Sequence, residues 1–405
     1  MEPETPPKDT RLIREITLRN ILSFGPEWMT LPLSPLNVLI GPNGSGKSNL
    51  IDTIELMRAT PGDMLAALRG IGGSADLVWK GSRFNRTYPP TISLEVNLLN
   101  WLPPIPVVHT FAFLADGRLP FTTEVERILR VYNDTKQEHM ILFEYAKGKS
   151  LIGRRKNRMS RSIEMVEMDS FDEFSVLGHV KDFSQYREIT SLGIAYRKIR
   201  VYRNWPFGRD TILRTPQRAD MPNDYLAEDL SNIGLFLSKL RQTPGAKKRI
   251  LEELRNLYDG IDDYDVKIDG GTVQVYFTEG NYTIPATRLS DGTLRYLCLL
   301  AILCDPEPPP LICIEEPELG LHMDVLPGLA RLLVEASTRT QLIVTTHSDI
   351  LVDALSDTPE SIVVCEKHNG ITEMERLEPD EIAPFLEKFR LGELWISGQL
   401  GGKRW

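Results

Sequence analysis

The chain has 405 residues, 41% hydrophobic and 25% charged, the balance of a folded globular protein long enough for a sizeable core and more than one domain. Its formal net charge is −9, so the surface as a whole does not attract nucleic acid or anionic membrane, and contact with nucleic acid requires a local basic patch. No apolar run approaches the ~20 residues of a membrane span, and the start, "MEPETPPKDTR", is acidic and proline-rich with no signal region. Cys298, Cys304, Cys313 and Cys365 form no CxxC pair and mostly sit in apolar runs. A cytoplasmic protein with reduced, buried cysteines and a short disordered leader is expected.

Residues 14–24 and 36–41 read as two strands joined by a turn-rich link, and 47–59 as an amphipathic helix. Residues 91–99 and 107–116 alternate like half-exposed antiparallel strands. The middle of the chain mixes short strands with charged loops, and "NRMSRSIEMVEMDSFDEF" fits no element clearly. Helices are predicted over 223–242 and 246–260, on either side of "TPG". The last third alternates: helix 293–304, strand 311–316, helix 325–337, strand 341–346, helix 349–356, strand 361–367. That βα rhythm predicts a mostly parallel sheet. There is no internal repeat and no sustained heptad pattern.

Between the strand at 36–41 and the helix at 47–59 lies "GPNGSGKS", in which Gly41, Gly46, Lys47 and Ser48 satisfy GxxxxGK[ST] in the strand–loop–helix setting the pattern requires. Glycines at 41, 44 and 46 let the backbone curl so that its N–H groups converge on phosphate oxygens, and the helix points its positive end at them. Lys47 then reaches the β and γ phosphates, and the Ser48 hydroxyl is a Mg²⁺ ligand. The alternative, a purely structural glycine turn, does not account for both pattern and context.

"LICIEEPELGLH" is an apolar strand ending in two carboxylates. In a phosphate-loop fold the strand beside the loop ends near the metal, so Glu315 is expected to hold Mg²⁺, directly or through water, and Glu316 to polarise the attacking water. "QLIVTTHSDIL" places His347 just past another apolar strand, where it can bond the γ-phosphate or orient the water. "RLSDGTLRYL" opens a helix on Ser290 and Gly292, a second anion seat as well as an N-cap. One phosphate loop does not need a second seat for the same nucleotide. The seat fits a nucleotide held by another subunit.

Two basic stretches stand apart. Arg154, Arg155, Lys156, Arg158 and Arg161 crowd one expected loop. "YRKIRVYRNW" interleaves Arg197, Lys198, Arg200 and Arg203 with Tyr196, Tyr202 and Trp205, a pattern that suits phosphate contact and base stacking but equally a solvated loop and a half-buried strand. Either stretch also suits an acidic protein partner, or a trans arginine for the nucleotide site.

Taken in order, these motifs resemble the ABC-type ATPases, most closely the branch containing RecF, SMC and the OLD family. "LRNILSF…LNVLIGPNGSGKSNLIDTI" is similar to that branch's N-terminal block, "LSDGTLR" to its signature, "IEEPELGLH" to its Walker B and D-loop, and "TTHSDILVDAL" to its switch-histidine segment. The ending "LGELWISGQLGGKRW" looks like the tail of compact stand-alone bacterial ATPases that are often encoded beside a small nuclease. The resemblance covers roughly residues 12–60 and 284–355 plus the tail.

It implies an α/β P-loop NTPase with an ABC-type nucleotide-binding domain: a mostly parallel sheet, an antiparallel β subdomain and an inserted α-rich arm. The expected divisions are 1–90 and 284–375 as the two ATPase lobes, 91–283 as antiparallel strands and helical insertion, and 376–405 as a tail. It implies ATP phosphates on Gly41, Pro42, Asn43, Gly44, Ser45, Gly46, Lys47, Ser48 and Asn49, Mg²⁺ on Ser48 with Glu315, Glu316 as catalytic base and His347 as switch. It further implies that Ser290 and Gly292 contact the γ-phosphate of an opposite protomer, in a homodimer or larger homo-oligomer that clamps ATP. Three departures stand out: the usual Walker B aspartate is Glu315, no Q-loop glutamine is identifiable near "GGSADLVWKG", and the signature's second glycine is Asp291. The interval between Ser48 and Ser290 lacks the long coiled coil of SMC proteins, and the stretch after His347 is too short for a Toprim nuclease domain. The expected role is an ATP-gated switch, the sensor of an antiviral defence system that controls a separate effector nuclease. The alternative is a RecF-like ATPase acting directly on DNA.

Overall fold

The computed structural model describes residues 9–70, 72–81, 91–98, 106–114, 122–133, 138–156, 162–168, 175–206, 208–209, 211–258 and 260–401. A six-stranded sheet organises it, in the order Arg200–Tyr202, Leu311–Glu315, Gln341–Thr345, Leu36–Ile40, Ile362–His368, Ile371–Arg376. The first five are parallel and the last is antiparallel. Strands Leu36–Ile40 and Gln341–Thr345 are buried throughout, as expected of parallel strands covered on both faces. Alternate residues feed two cores: Val38, Ile40, Ile312 and Val344 face one, while Leu39, Leu311, Cys313 and Ile343 face the other.

One expectation is corrected here. Strand Leu311–Glu315 does not lie beside the phosphate-loop strand, because Gln341–Thr345 is inserted between them. The three still end on one side of the sheet, since they run parallel, and ligands of such sheets bind beyond the carboxyl ends.

Residues 14–24 do not form one strand. Strand Ile13–Arg19 stops where Asn20 and Leu22 take positive φ of 58° and 54°. It joins an eight-stranded antiparallel sheet, in the order Met29–Pro32, Ile13–Arg19, Thr91–Leu98, Val107–Leu114, Thr122–Asn133, Glu138–Ala146, Lys149–Arg155, Ile163–Met168. Ile163–Met168 lies inside "NRMSRSIEMVEMDSFDEF", whose flanks fall outside the described residues.

The two sheets are fastened by Gln341, which is fully buried. Its Oε1 accepts from the N–H groups of Leu12 (3.0 Å) and Ile13 (2.9 Å), and its Nε2 donates to the carbonyls of Ile13 (2.7 Å) and Ser34 (3.2 Å). Gln341→Leu takes this partner from the buried Leu12 and Ile13 N–H groups and the Ile13 carbonyl, while the Ser34 carbonyl keeps the Asn37 amide (2.7 Å), and should lower stability by about 3–5 kcal/mol. The denaturant midpoint measures it.

Helices Ile233–Gln242 and Pro244–Leu257 pack against helix Asp291–Leu303, beside a small sheet built from Gln217–Arg218, Asp263–Asp269, Thr272–Glu279 and Tyr282–Pro285. The first helix begins at Ile233, not at 223. Leu230 has φ 63°, and the Asn232 amide ties Ala227, Pro222 and Tyr225 into a turn that stops the helix from extending backward. The tail folds back: Leu391, Leu394 and Trp395 are buried, and the N–H groups of Leu391 and Gly392 donate to Ser356 Oγ (3.0 Å) and Asp353 Oδ1 (3.1 Å). Among the described residues no helix is long and apolar enough to cross a membrane. All four cysteines are buried as thiols. Burial pushes Cys298, Cys304 and Cys365 up to about 12.

Candidate functional site: a phosphate loop facing two glutamates

The phosphate loop is made by three glycines with positive φ: 144° at Gly41, 77° at Gly44 and 105° at Gly46. Two of them also have no room for a side chain. A Cβ at Gly41 would lie 2.1 Å from the Cys365 carbonyl oxygen, and one at Gly46 would lie 2.2 Å from Thr372 Oγ1. Helix Lys47–Ala59 starts on Gly46 with no side-chain cap and no acidic residue in its first turn, so its leading N–H groups point at the loop uncontested. Lys47 is buried, and its Nζ donates to the carbonyls of Gly41 (2.8 Å) and Pro42 (2.9 Å). Burial pulls its pKa down, while nearby charges, Glu316 and Glu318 among them, push it back up. Ser45 Oγ is buried in the loop and makes no hydrogen bond. The Asn49 amide instead donates to Ser23 Oγ at 2.6 Å, pinning the helix to the chain before it.

Glu315 ends its strand beside this loop. Burial pushes its pKa up. The Arg203 guanidinium, 3.5 Å from Oε1, pulls it down, and so does the nearby Ser48 hydroxyl. Glu315 Oε1 is buried and accepts no hydrogen bond. These groups suit a nucleotide with Mg²⁺: a loop turned by three positive-φ glycines, an uncapped helix N-terminus opening on Lys47 and Ser48, and a buried carboxylate oxygen with spare capacity.

Glu316 sits at φ 46°, a conformation rare for a residue with a side chain. Its N–H donates to Thr345, with O at 3.0 Å and Oγ1 at 3.2 Å, and its carboxylate lies 3.8 Å from His347 Nε2. Glu318, which nothing in "EEPE" singles out from its neighbours, holds the backbone of His347. Its Oε1 accepts from the Thr346 hydroxyl (2.7 Å) and the His347 N–H (2.8 Å), and burial raises its pKa.

Lys47, Ser48, Glu315, Glu316 and His347 thus meet within one chain. Ser290 and Gly292 do not join them. Ser290 is exposed, and its Oγ accepts from the Thr293 N–H (3.1 Å), capping the helix that follows. Among the described residues its hydrogen bonds go only to Thr293 and Leu294, never to the phosphate loop. Gly292 lies against the D-loop, where a Cβ would come 2.9 Å from the Gly320 carbonyl. Asp291 is held by Arg214 (2.7 Å) and the Gly208 N–H (3.1 Å), and the Arg214 hydrogen bond lowers its pKa.

The basic stretches fare differently. Arg158 and Arg161 lie outside the described residues. Arg155 pairs with Glu188, which Arg130 also approaches, while Arg154 and Lys156 sit at the end of strand Lys149–Arg155. In the second stretch Tyr196 and Tyr202 are buried, and the Trp205 indole donates to the Glu315 carbonyl at 3.0 Å. Those aromatic rings are core and site scaffold, not stacking platforms. Arg203 turns inward to Asp52 (2.7 Å), Glu55 (3.4 Å) and Glu315, in its own chain. Arg197 and Arg200 donate to backbone carbonyls, and Arg200 also lies over the Tyr225 ring; Lys198 ends helix Arg187–Lys198.

Known proteins share this fold. The SMC head bound to the C-winged helix domain of ScpA superposes with a TM-score of 0.55 at 15% identity, covering 91% of this chain and 99% of that one. The Smc head domain with a coiled coil and joint from Pyrococcus yayanosii gives 0.51 at 12% identity, over 93% and 99%. At such identities the likeness concerns the fold, which is that of an α/β ABC-type P-loop NTPase. No curated protein matches by sequence. A family model matches residues 36–98 and 160–353, spans that include the phosphate loop, the signature, both glutamates and His347. The chain therefore belongs to the AAA-domain family described as "putative AbiEii toxin, Type IV TA system".

Proposed function

We propose that this chain is a Mg²⁺-dependent ATP hydrolase that releases ADP and phosphate. One observation carries the reading: Glu315 Oε1, buried and accepting no hydrogen bond, lies beside the phosphate loop, with the Glu316 carboxylate and His347 next to it. The loop N–H groups bind the phosphates, and Lys47 exchanges its carbonyl partners at Gly41 and Pro42 for phosphate oxygens. Ser48 and Glu315 would hold the cation, which when bound would neutralise phosphate charge. Glu316 takes the proton from the attacking water, and His347, fixed by Glu318, orients that water. Phosphate release from ATP by the purified chain, stopped by EDTA, tests this; no release at any Mg²⁺ concentration would contradict it.

Glu315 must be ionised to hold a cation, so activity rises with pH through its raised pKa. Folding favours neutral Glu315 and Glu318, so their contribution to stability runs the other way: it is full below the ordinary glutamate range and is lost as pH rises through the raised values. Arg203→Met removes a charge that lowers the Glu315 pKa, so the acid limb of the rate profile should move to higher pH. An unmoved limb would mean that Glu315 does not set it.

We read the site as shared between two copies. Ser290 is exposed, and beside Gly320 the D-loop exposes Leu319 and Met323, 51% and 60% accessible, so signature and D-loop present one face partly apolar. A second copy placed there brings Ser290 to its neighbour's ATP.

In this reading ATP gates a complex with a separately encoded effector, a nuclease in an antiviral setting. The family description supports it by naming a toxin–antitoxin system, a setting of two components. Direct action on DNA is the weaker reading, since the rings that would stack on bases are buried at Tyr196 and Tyr202. Salt-dependent DNA binding that stimulates ATP hydrolysis would reverse that order.

A further inference from the structure

The catalytic pair is held from behind by two side chains outside the phosphate loop and the carboxylate motif. Trp205 Nε1 donates to the Glu315 carbonyl at 3.0 Å, and Arg295 Nη2 donates to the Glu316 carbonyl at 2.6 Å. The two stack on each other, with the guanidinium carbon 4.6 Å from the indole centroid. Arg295 is only 2% exposed, on the helix that Ser290 caps. Burial lowers its pKa to about 10, opposed by Glu318 and Glu316, so it remains a cation at neutral pH.

A buried guanidinium is costly, and filling space alone would need only an apolar side chain. Here it grips the carbonyl of a glutamate in a strained conformation, whose N–H is gripped by Thr345. The same helix touches the far end of that segment, where Gly292 packs on the Gly320 carbonyl. The helix therefore contacts the stretch from Glu316 to Gly320 at both ends. A rigid shift of the helix must move that stretch.

We propose that Arg295, stacked on Trp205, is a positioning residue that ties the Glu315–Glu316 backbone to the signature helix, so that a neighbour's ATP engaging Ser290 tunes the hydrolytic glutamate of the same chain. This rests on the ATPase and shared-site reading above. Its consequence is that the two ATP sites of an assembly are coupled and that hydrolysis responds cooperatively to ATP.

The test is steady-state phosphate release against ATP concentration for the full chain, Arg295→Met, Arg295→Lys and Trp205→Phe, with nucleotide affinity from a fluorescent ATP analogue and with melting temperatures. The wild-type curve should be sigmoidal. Arg295→Met should keep its nucleotide affinity and lose kcat by about tenfold to a hundredfold, since small misplacements of reacting groups cost that much. Its curve should become hyperbolic. Arg295→Lys should recover part of kcat. Trp205→Phe keeps a ring for stacking and loses only the indole donor; it should lose sigmoidicity with a smaller fall in kcat, and it decides the matter if Arg295→Met does not fold. A hyperbolic wild-type curve, or sigmoidicity kept in both variants with kcat within about twofold of wild type, overturns the coupling and leaves the ATPase intact. A wild-type chain that hydrolyses no ATP overturns the ATPase reading, and this inference with it.

Discussion

Glu316→Gln should stop turnover and leave ATP bound. The expected loss in kcat is about a thousandfold, within the range that removal of a general base produces, with nucleotide affinity nearly unchanged. The reason lies in how the residue is held. Thr345 and Arg295 grip its backbone, not its carboxylate, so the amide replacement keeps the segment in place. The side chain faces His347 at 3.8 Å, and among the described residues it bears on the phosphate loop only through its charge near Lys47. Phosphate release paired with ATP binding separates the two effects. Release at the wild-type rate would move the base elsewhere, to His347 or Glu318.

Ser290→Arg should be almost as damaging by a different route. As an N-cap, Ser290 contributes about 1 kcal/mol, too little for its loss to unfold the chain. It makes no hydrogen bond to the phosphate loop of its own chain among the described residues, so single-chain affinity for ATP should not change. A bulky cation on the exposed cap blocks whatever must approach it. Hydrolysis should fall by about a hundredfold or more, as when an interaction made only in the transition state is removed. Full activity in this variant would mean that each chain completes its own site.

The phosphate loop and the strands around it were legible in the sequence for a physical reason. Parallel strands covered on both faces are continuous apolar runs, and a loop that must pass beneath Cys365 and Thr372 at Gly41 and Gly46 admits only glycine. The supporting side chains were not legible, because their partners lie far off in the chain. Arg203 meets Asp52 across 151 positions and Trp205 meets Glu315 across 110, and nothing local marks either contact. An arginine–tyrosine alternation reads the same whether it lines a nucleic-acid groove or, as at Tyr196 and Tyr202, packs into a core. Strand order was misread for a related reason: motif order along the chain does not reveal that Gln341–Thr345 inserts between the loop strand and Leu311–Glu315.

The most direct measurement is the solution mass of the Glu316→Gln chain with and without ATP and Mg²⁺, repeated with Ser290→Arg added. The account predicts that ATP doubles the mass of the single variant, while the double variant binds ATP and stays at its starting mass. An unchanged mass in the single variant with ATP demonstrably bound would contradict it.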